Sequence, residues 1–152
     1  MNAGQTFAWT TAWFTAWITP GMGLAGVFAA SFLSATLLPG GSEFVLFGYI
    51  RLYPDATWIA VALAAIGNTL GGMTSVGVGR LLPNRIADTR ALALVRRHGA
   101  WALLLSWVPV IGDALCVAAG WLRLPWIPVT ASMFAGKAAR YAAIAALAYG
   151  LL

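Results

Sequence analysis

The stretch Leu37-Leu38-Pro39-Gly40-Gly41-Ser42-Glu43 interrupts a long apolar run. Proline lacks an amide N–H and clashes with the preceding helical turn, and glycine permits a sharp reversal, so the stretch predicts the end of one helix and the start of another. Ser42 is predicted to cap the second helix, with Glu43 in its first turn near the positive end of the dipole. The chain repeats this pattern at Trp107-Val108-Pro109-Val110-Ile111-Gly112-Asp113, and in both copies the acid follows the proline by four positions.

The composition places these breaks inside a membrane. The 152 residues are 61% hydrophobic and only 9% charged, and the mean hydropathy is +0.84. A soluble domain carries roughly a quarter charged residues, and one soluble core cannot bury this much apolar surface. The net charge of +5 therefore points to loop orientation and anionic lipid head groups rather than to nucleic acid. We expect an all-α integral membrane protein.

Each break lies in an apolar run that is followed by an unbroken apolar segment. In the first run, 22–50, each arm has only about 12–17 residues, whereas about 20 are needed to cross a bilayer. Such arms fit a re-entrant hairpin, whose non-helical tip must be buried in protein or line a wet cavity. The segments 56–79 and 127–152 have the length of spanning helices. The predicted hairpin tips are Pro39, Gly40, Gly41, Pro109 and Gly112.

The order of hairpins and spanning helices predicts an inverted repeat. A hairpin returns to its own side and the next helix crosses, so the second copy starts from the opposite side. The two prolines, and likewise the two acids, are seventy positions apart. Inverted repeats of this kind occur in secondary transporters, with the substrate site where the broken helices meet near the midplane.

The predicted domain organisation is one membrane domain, 22–152, after an N-terminal segment, 1–21. Trp9, Trp13 and Trp17 lie on one helical face of that segment, which fits a short interfacial helix or packing on the next helix. Met22 is an alternative start. Repeat 1 covers about 22–79 and repeat 2 about 99–152. The linker between them, 80–98, is predicted to form an amphipathic helix from Asp88 onward and to face the cytoplasm, because it is rich in arginine. Its charged residues are Arg80, Arg85, Asp88, Arg90, Arg96 and Arg97.

Four ionisable residues are expected at membrane depth: Glu43, Asp113, Lys137 and Arg140. Each costs about 2.5–3.5 kcal/mol at a helix centre, so each should face the bundle interior and be paired. In one interpretation the acids only cap their half-helices and the bases neutralise them. In the other, these residues form a substrate or proton pathway lined also by Asn68. The half-helix N-termini and the two bases would then hold an anionic group such as a phosphate, and a desolvated carboxylate would take up a proton.

Enzymatic chemistry has little support in the sequence. There is one histidine, His98, and one cysteine, Cys116, and there is no zinc-protease, P-loop or nucleophile-elbow motif. We expect Cys116 to be buried as a small hydrophobe. We therefore expect no catalytic residue, no metal ion and no cofactor.

Six blocks of the sequence resemble the YqaA-like branch of the DedA family of membrane proteins, which are also called VTT-domain or SNARE-associated proteins. The blocks are Ser31–Glu43, Gly67–Gly72, Gly79-Arg80, Leu104–Asp113, Ala119–Arg123 and Gly136–Tyr141. The resemblance covers roughly residues 22–149. It implies two re-entrant hairpins, spanning helices in inverted repeat, an inner-membrane location and a role in lipid translocation. Members of the wider family recycle undecaprenyl phosphate across the bacterial membrane, eukaryotic relatives scramble phospholipids, and proton coupling is suspected for some.

The resemblance carries over to few individual residues. Glu43 matches the acid of the first hairpin motif, and Gly120 matches the glycine that closes the second hairpin. The wider family has arginines flanking the proline of the second hairpin, whereas this sequence has Ser106 and Gly112 there, with Asp113 nearby. That difference points to a different lipid, or to an anion held by the basic residues of the last helix.

We predict a transporter that translocates an anionic lipid, either undecaprenyl phosphate or a phospholipid, and that is coupled to protons. Its partners would be membrane lipids, and a homo-oligomer is compatible with the sequence. Two alternatives stay open. One is a small ion or proton channel, a class often built as an oligomer, and the other is a membrane protein that organises partner proteins without transport.

Overall fold

The computed structural model describes residues 20–36, 41–83 and 89–150, and these ranges contain helices and turns but no strand. The prediction of an all-helical chain is therefore confirmed for the described part. The predicted tip residues Pro39 and Gly40, the N-terminal segment 1–19, and the linker residues Arg85 and Asp88 lie outside it. The helices are α1 (Pro20–Ser34), α2 (Ser42–Leu52), a 3-10 turn (Pro54–Ala56), α3 (Thr57–Leu81), α4 (Arg90–His98), a 3-10 helix (Gly99–Trp107), α5 (Ile111–Trp121) and α6 (Trp126–Gly150).

The helices fall into two length classes. Helix α3 with its preceding turn, Pro54–Leu81, is the one helix in the described ranges that is both long and apolar enough to cross a membrane. Helix α6 is as long as α3, with 25 residues each, but Lys137 and Arg140 in the middle of α6 lower its hydropathy. Helices α1, α2 and α5 have 15, 11 and 11 residues. At 1.5 Å per residue they reach about 16–22 Å, less than the roughly 30 Å of a hydrocarbon core.

The first break differs from its prediction in the residue that caps α2. The prediction that Ser42 caps this helix is wrong, because Gly41 is the N-cap and Ser42 makes no capping bond. The carboxylate of Glu43 instead accepts a hydrogen bond from the Gly41 N–H at 3.0 Å. The buried Ser42 hydroxyl lies 2.9 Å from the Tyr141 hydroxyl and bonds with it, so it serves the contact between α2 and α6.

The residue before the second short helix has an unusual backbone. Val110 precedes α5 with φ +67°, and Gly41 precedes α2 with φ +116°. Glycine adopts such angles freely, but a β-branched residue rarely does, so Val110 is strained. The arm before this break, 99–107, is a 3-10 helix rather than an α-helix.

The N-terminal boundary and the linker complete the helical path. Helix α1 begins at Pro20, so Pro20 and Gly21, which were predicted to end the N-terminal segment, form its first turn, where a missing N–H costs nothing. Helix α4 is capped by Thr89, whose hydroxyl accepts from the Leu92 N–H at 3.2 Å. Leu92 and Val95 are buried while Arg90 is exposed, so α4 is amphipathic, as the sequence indicates.

Helix α3 lies at the centre of the fold and contacts α1, α2, α5 and α6. Two of these crossings are backbone against backbone. A Cβ at Gly67 would lie 2.6 Å from the Phe28 carbonyl oxygen of α1, and a Cβ at Gly120 of α5 would overlap the Val76 carbonyl oxygen. Small residues at these positions allow the helices to approach closely, as they do in membrane helix pairs.

Two apolar clusters fill the interior, and they show how α3 and α6 run. One cluster joins α1 and α2 with the first half of α3 and the second half of α6. The other joins α4, α5 and the 3-10 helix with the second half of α3 and the first half of α6. The two long helices are therefore antiparallel. Asn68 and Lys137, each the twelfth residue of its helix, lie between the clusters.

Candidate ligand site

A polar cavity of about 30 Å³ lies where the two apolar clusters meet. Its volume is about that of one water molecule. All five residues predicted for the substrate or proton pathway line it: Glu43 from α2, Asn68 from α3, Asp113 from α5, and Lys137 and Arg140 from α6. The structure therefore brings together, from four helices, residues that are up to 97 positions apart in the sequence.

Glu43 and Arg140 form an ion pair across the cavity. The same guanidinium donates through Nη1 to the main-chain carbonyl of Trp107 at 2.9 Å, and the other carboxylate oxygen of Glu43 accepts from Gly41. The side chain of Arg140 is 21% exposed and that of Glu43 is 23% exposed. One charge pair thus connects the start of α2, the middle of α6 and the end of the 3-10 helix.

Lys137 is only 3% exposed and donates through Nζ to the main-chain carbonyl of Asn68. A Cβ at Gly72 would lie 2.7 Å from the Lys137 Nζ and 2.7 Å from the Met133 Sδ. The glycine at this position therefore leaves the space that the ammonium occupies. The sequence could not predict this role of Gly72, because nothing in a glycine reveals which side chain fills the space beside it.

The side chain of Asn68 points to α1. Its Nδ2 donates to the Ser31 carbonyl at 3.1 Å and lies 3.2 Å from the Ser34 hydroxyl. The amide therefore supplies a donor to the last turn of α1, where helical carbonyls lack partners within the helix.

Asp113 lies in the first turn of α5, is exposed and lines the cavity. Within the described ranges Asp113 and Lys137 line the same cavity but make no ion-pair contact. Of the four acid–base pairs that these two acids and two bases could form, only Glu43–Arg140 is in contact. Asp113 is therefore the cavity acid that is not in an ion pair among the described residues.

The remaining predicted tip residues flank this site. Pro109 lines the cavity, Gly41 donates to Glu43, and Gly112 packs against the backbone of Ser106. Ser106 lines the cavity, and its buried hydroxyl has no hydrogen-bond partner among the described residues. No group of three His, Cys, Asp or Glu side chains that could share a metal ion occurs in the ranges the structure describes.

An apolar groove of about 730 Å³ adjoins the cavity and shares Glu43, Trp107 and Arg140 with it. The rest of the groove runs between the 3-10 helix and α6. A second apolar groove, of about 510 Å³, lies between α3 and α6 and has no charged residue in its lining.

A chain of this hydropathy, helical over its described residues, that gathers Glu43, Asp113, Lys137 and Arg140 around one interior cavity has the properties of an integral membrane protein. Two curated relatives agree. The protein named inner membrane protein YqaA from Escherichia coli (strain K12) is 48% identical over 128 residues, which cover 82% of this chain and 90% of the relative. The relative of the same name from Shigella flexneri gives the same values.

An uncharacterized protein from Haemophilus influenzae is 40% identical over 132 residues, covering 80% of this chain and 84% of the relative. No protein-family model matches the chain, and no solved structure does. At these identities and coverages the chain belongs to the YqaA-like branch of the DedA family and is an inner membrane protein. The family prediction made from the six sequence blocks is confirmed.

Proposed function

We propose that this protein is a transporter that translocates an anionic lipid, undecaprenyl phosphate or a phospholipid, across the inner membrane. The observation that carries the proposal is the convergence of Glu43, Asp113, Lys137, Arg140 and Asn68 on one cavity at the centre of an apolar helical protein. Charges at membrane depth are costly and mark substrate and ion pathways. Arginine and lysine are the side chains that bind phosphate groups.

The proposal includes two re-entrant hairpins, α1–α2 and the 3-10 helix with α5, related by an inverted repeat. Three correspondences support the repeat. Gly41 and Val110 both have positive φ, and an acid lies in the first turn of each following helix. Asn68 donates to the end of α1 as Arg140 donates to the end of the 3-10 helix. The short helices are also too short to span a bilayer.

A cysteine-accessibility experiment tests this topology. In a Cys116→Ser background, single cysteines replace Arg90 in α4, Pro125 after α5 and Leu52 at the end of α2. We expect a membrane-impermeant thiol reagent to label Arg90→Cys and Pro125→Cys from the cytoplasmic side, because a hairpin returns to its own face, and to label Leu52→Cys from the other side. Labelling of Arg90→Cys and Pro125→Cys from opposite sides would show that residues 99–121 span the membrane and would overturn the hairpin.

Transport is tested by reconstituting the protein in liposomes and measuring the movement of undecaprenyl phosphate, phosphatidylglycerol and phosphatidylcholine between leaflets. A charge-assisted hydrogen bond contributes about 1.5–3 kcal/mol, so we expect Lys137→Ala to slow anionic lipid movement by about tenfold or more. Arg90→Gln is the matched control, because it removes an exposed arginine outside the cavity. If no lipid moves, or if Lys137→Ala behaves like Arg90→Gln, the proposal is wrong.

Proton coupling is the last part of the proposal. A carboxylate that loses its cationic partner in a low-dielectric site is stabilised by taking up a proton, and both acids line the cavity. Glu43→Gln should therefore change the dependence of transport on pH. Unchanged transport and unchanged pH dependence in this variant would refute coupling through Glu43 while leaving lipid movement intact.

The two alternative functions predict different results for the same protein. A channel would conduct ions in planar bilayers without moving lipid. A membrane-organising protein would keep its cellular role after Glu43, Asp113, Lys137 and Arg140 are all replaced by neutral residues.

A further inference from the structure

The groove beside the polar cavity is built by small residues on one face of α6. Ala135, Ala139 and Ala143 recur every four positions and line it, with Leu104 of the 3-10 helix and Leu147 further along α6. Its volume of about 730 Å³ lies within the roughly 300–1,000 Å³ of ligand pockets. The only charged residues that the described part of the chain contributes to the lining are Glu43 and Arg140.

Glu43 and Arg140 line the groove and the polar cavity at once. Their ion pair therefore borders an apolar space and a polar space.

We propose that this groove, called here the Arg140 groove, holds one hydrocarbon chain of an anionic membrane lipid, whose head group takes the place of Glu43 on the Arg140 guanidinium. This inference rests on the proposed function and names the binding mode at the same site. Arginine presents paired N–H donors that match a phosphate, and the alanine face accommodates a chain beside them. Displaced from Arg140, Glu43 keeps the Gly41 N–H as a donor, and the lipid phosphate gains the arginine.

The second groove provides an internal control, because it is also lined by residues of α6. It has about 510 Å³ and is lined by Ile66, Leu70, Phe134 and other residues of α3 and α6, with no charged side chain. That groove therefore has no charge that would favour a lipid with an anionic head group over a lipid with a neutral one. A difference between the two grooves therefore isolates the contribution of the ion pair from the general affinity of a membrane protein surface for hydrocarbon.

The experiment uses the whole protein in phosphatidylcholine vesicles. They contain a trace of either phosphatidylglycerol or phosphatidylcholine with a photoactivatable diazirine in one acyl chain. After irradiation, the labelled peptides are quantified by mass spectrometry. One basic residue gives a preference of about fivefold for an anionic lipid near a membrane surface. We expect the phosphatidylglycerol probe to label the Arg140 groove about fivefold more than the phosphatidylcholine probe, and the two probes to label the second groove equally.

Three variants identify the cause of the preference. Arg140→Gln should remove the preference for the phosphatidylglycerol probe. Arg140→Lys, which keeps the positive charge, should retain part of that preference and still tests the inference if Arg140→Gln does not fold. Ala139→Trp should block labelling of the Arg140 groove by both probes. Ala131→Trp, which fills the second groove, is the matched control and should leave the preference unchanged.

Equal labelling of the Arg140 groove by the two probes, or a preference that survives Arg140→Gln, would overturn the inference. So would the absence of labelling by either probe, because the groove would then be covered by another part of the chain or by a second copy. Translocation is measured on the same vesicles. Equal labelling with intact translocation refutes only the binding mode, whereas preferential labelling without translocation refutes only the transport function.

Discussion

Removing the two charges of the Glu43–Arg140 pair, singly and together, tests whether they stabilise the fold as a pair. The side chains are about four-fifths buried, with 21% and 23% exposed. An exposed ion pair contributes about 0.2–1 kcal/mol, whereas removing one partner of a fully buried pair costs about 3–5 kcal/mol, because the other charge is left uncompensated. We expect Glu43→Gln and Arg140→Gln each to lower the free energy of unfolding by about 2–3 kcal/mol, between these limits.

The double substitution should cost no more than either single one, because it leaves no unpaired charge. The expected coupling energy is therefore about 2 kcal/mol, within the range found for residues in contact. The assay is reversible unfolding by sodium dodecyl sulfate in mixed micelles, with the parent, both single variants and the double variant under the same conditions.

The control cycle combines Glu43→Gln with Arg90→Gln. Arg90 is exposed on α4 and does not line the cavity, so these two changes should be additive within about 0.5 kcal/mol. A coupling energy for Glu43 and Arg140 as small as that of the control cycle would refute the reasoning, because the contact would then make no measurable contribution to stability.

Two further predictions concern the backbone. Gly120→Ala should lower the free energy of unfolding by about 1–3 kcal/mol, since its Cβ overlaps the Val76 carbonyl. At Gly77 an added Cβ would meet no atom within 4 Å, so Gly77→Ala should raise the free energy of unfolding by up to about 1 kcal/mol. Equal effects of Gly120→Ala and Gly77→Ala would contradict the close crossing of α3 and α5. Val110→Gly should raise the free energy of unfolding by about 1 kcal/mol, because glycine adopts a positive φ without the strain of a β-branched residue. The Val110 side chain is 69% exposed and contributes little packing, so a loss of stability in the same unfolding assay would disprove the strain.

The gathering of Glu43, Asp113, Lys137 and Arg140 was predictable from the sequence, because hydrocarbon cannot solvate charges and each must face the interior. Which atoms they contact was not predictable. Lys137 binds a main-chain carbonyl rather than Asp113, and Arg140 binds both Glu43 and the Trp107 carbonyl. Every residue has a carbonyl, so a main-chain acceptor has no signature in the sequence.

The positions of the breaks were also predictable, while their local geometry was not. Proline and glycine mark where a helix must end, and α2 and α5 begin close to the expected positions. The positive φ of Val110 runs against the preference of its side chain, and the 3-10 geometry of residues 99–107 has no clear sequence signal. The Ser42 hydroxyl bonds with Tyr141, which is 99 positions away, so local sequence could not reveal that Ser42 does not cap α2.

Asn68 of α3 joins α1, α3 and α6 through its hydrogen bonds. Its main-chain carbonyl is bound by Lys137 and its side-chain amide is bound to Ser31 and Ser34. Separating α1 from α3 would leave an amide unpaired where hydrocarbon offers no replacement partner. Helices α2 and α5 are joined to this group by other contacts. Moving α2 would break the Ser42–Tyr141 hydrogen bond and the Glu43–Arg140 ion pair, whereas moving α5 would separate the close backbone crossing at Gly120.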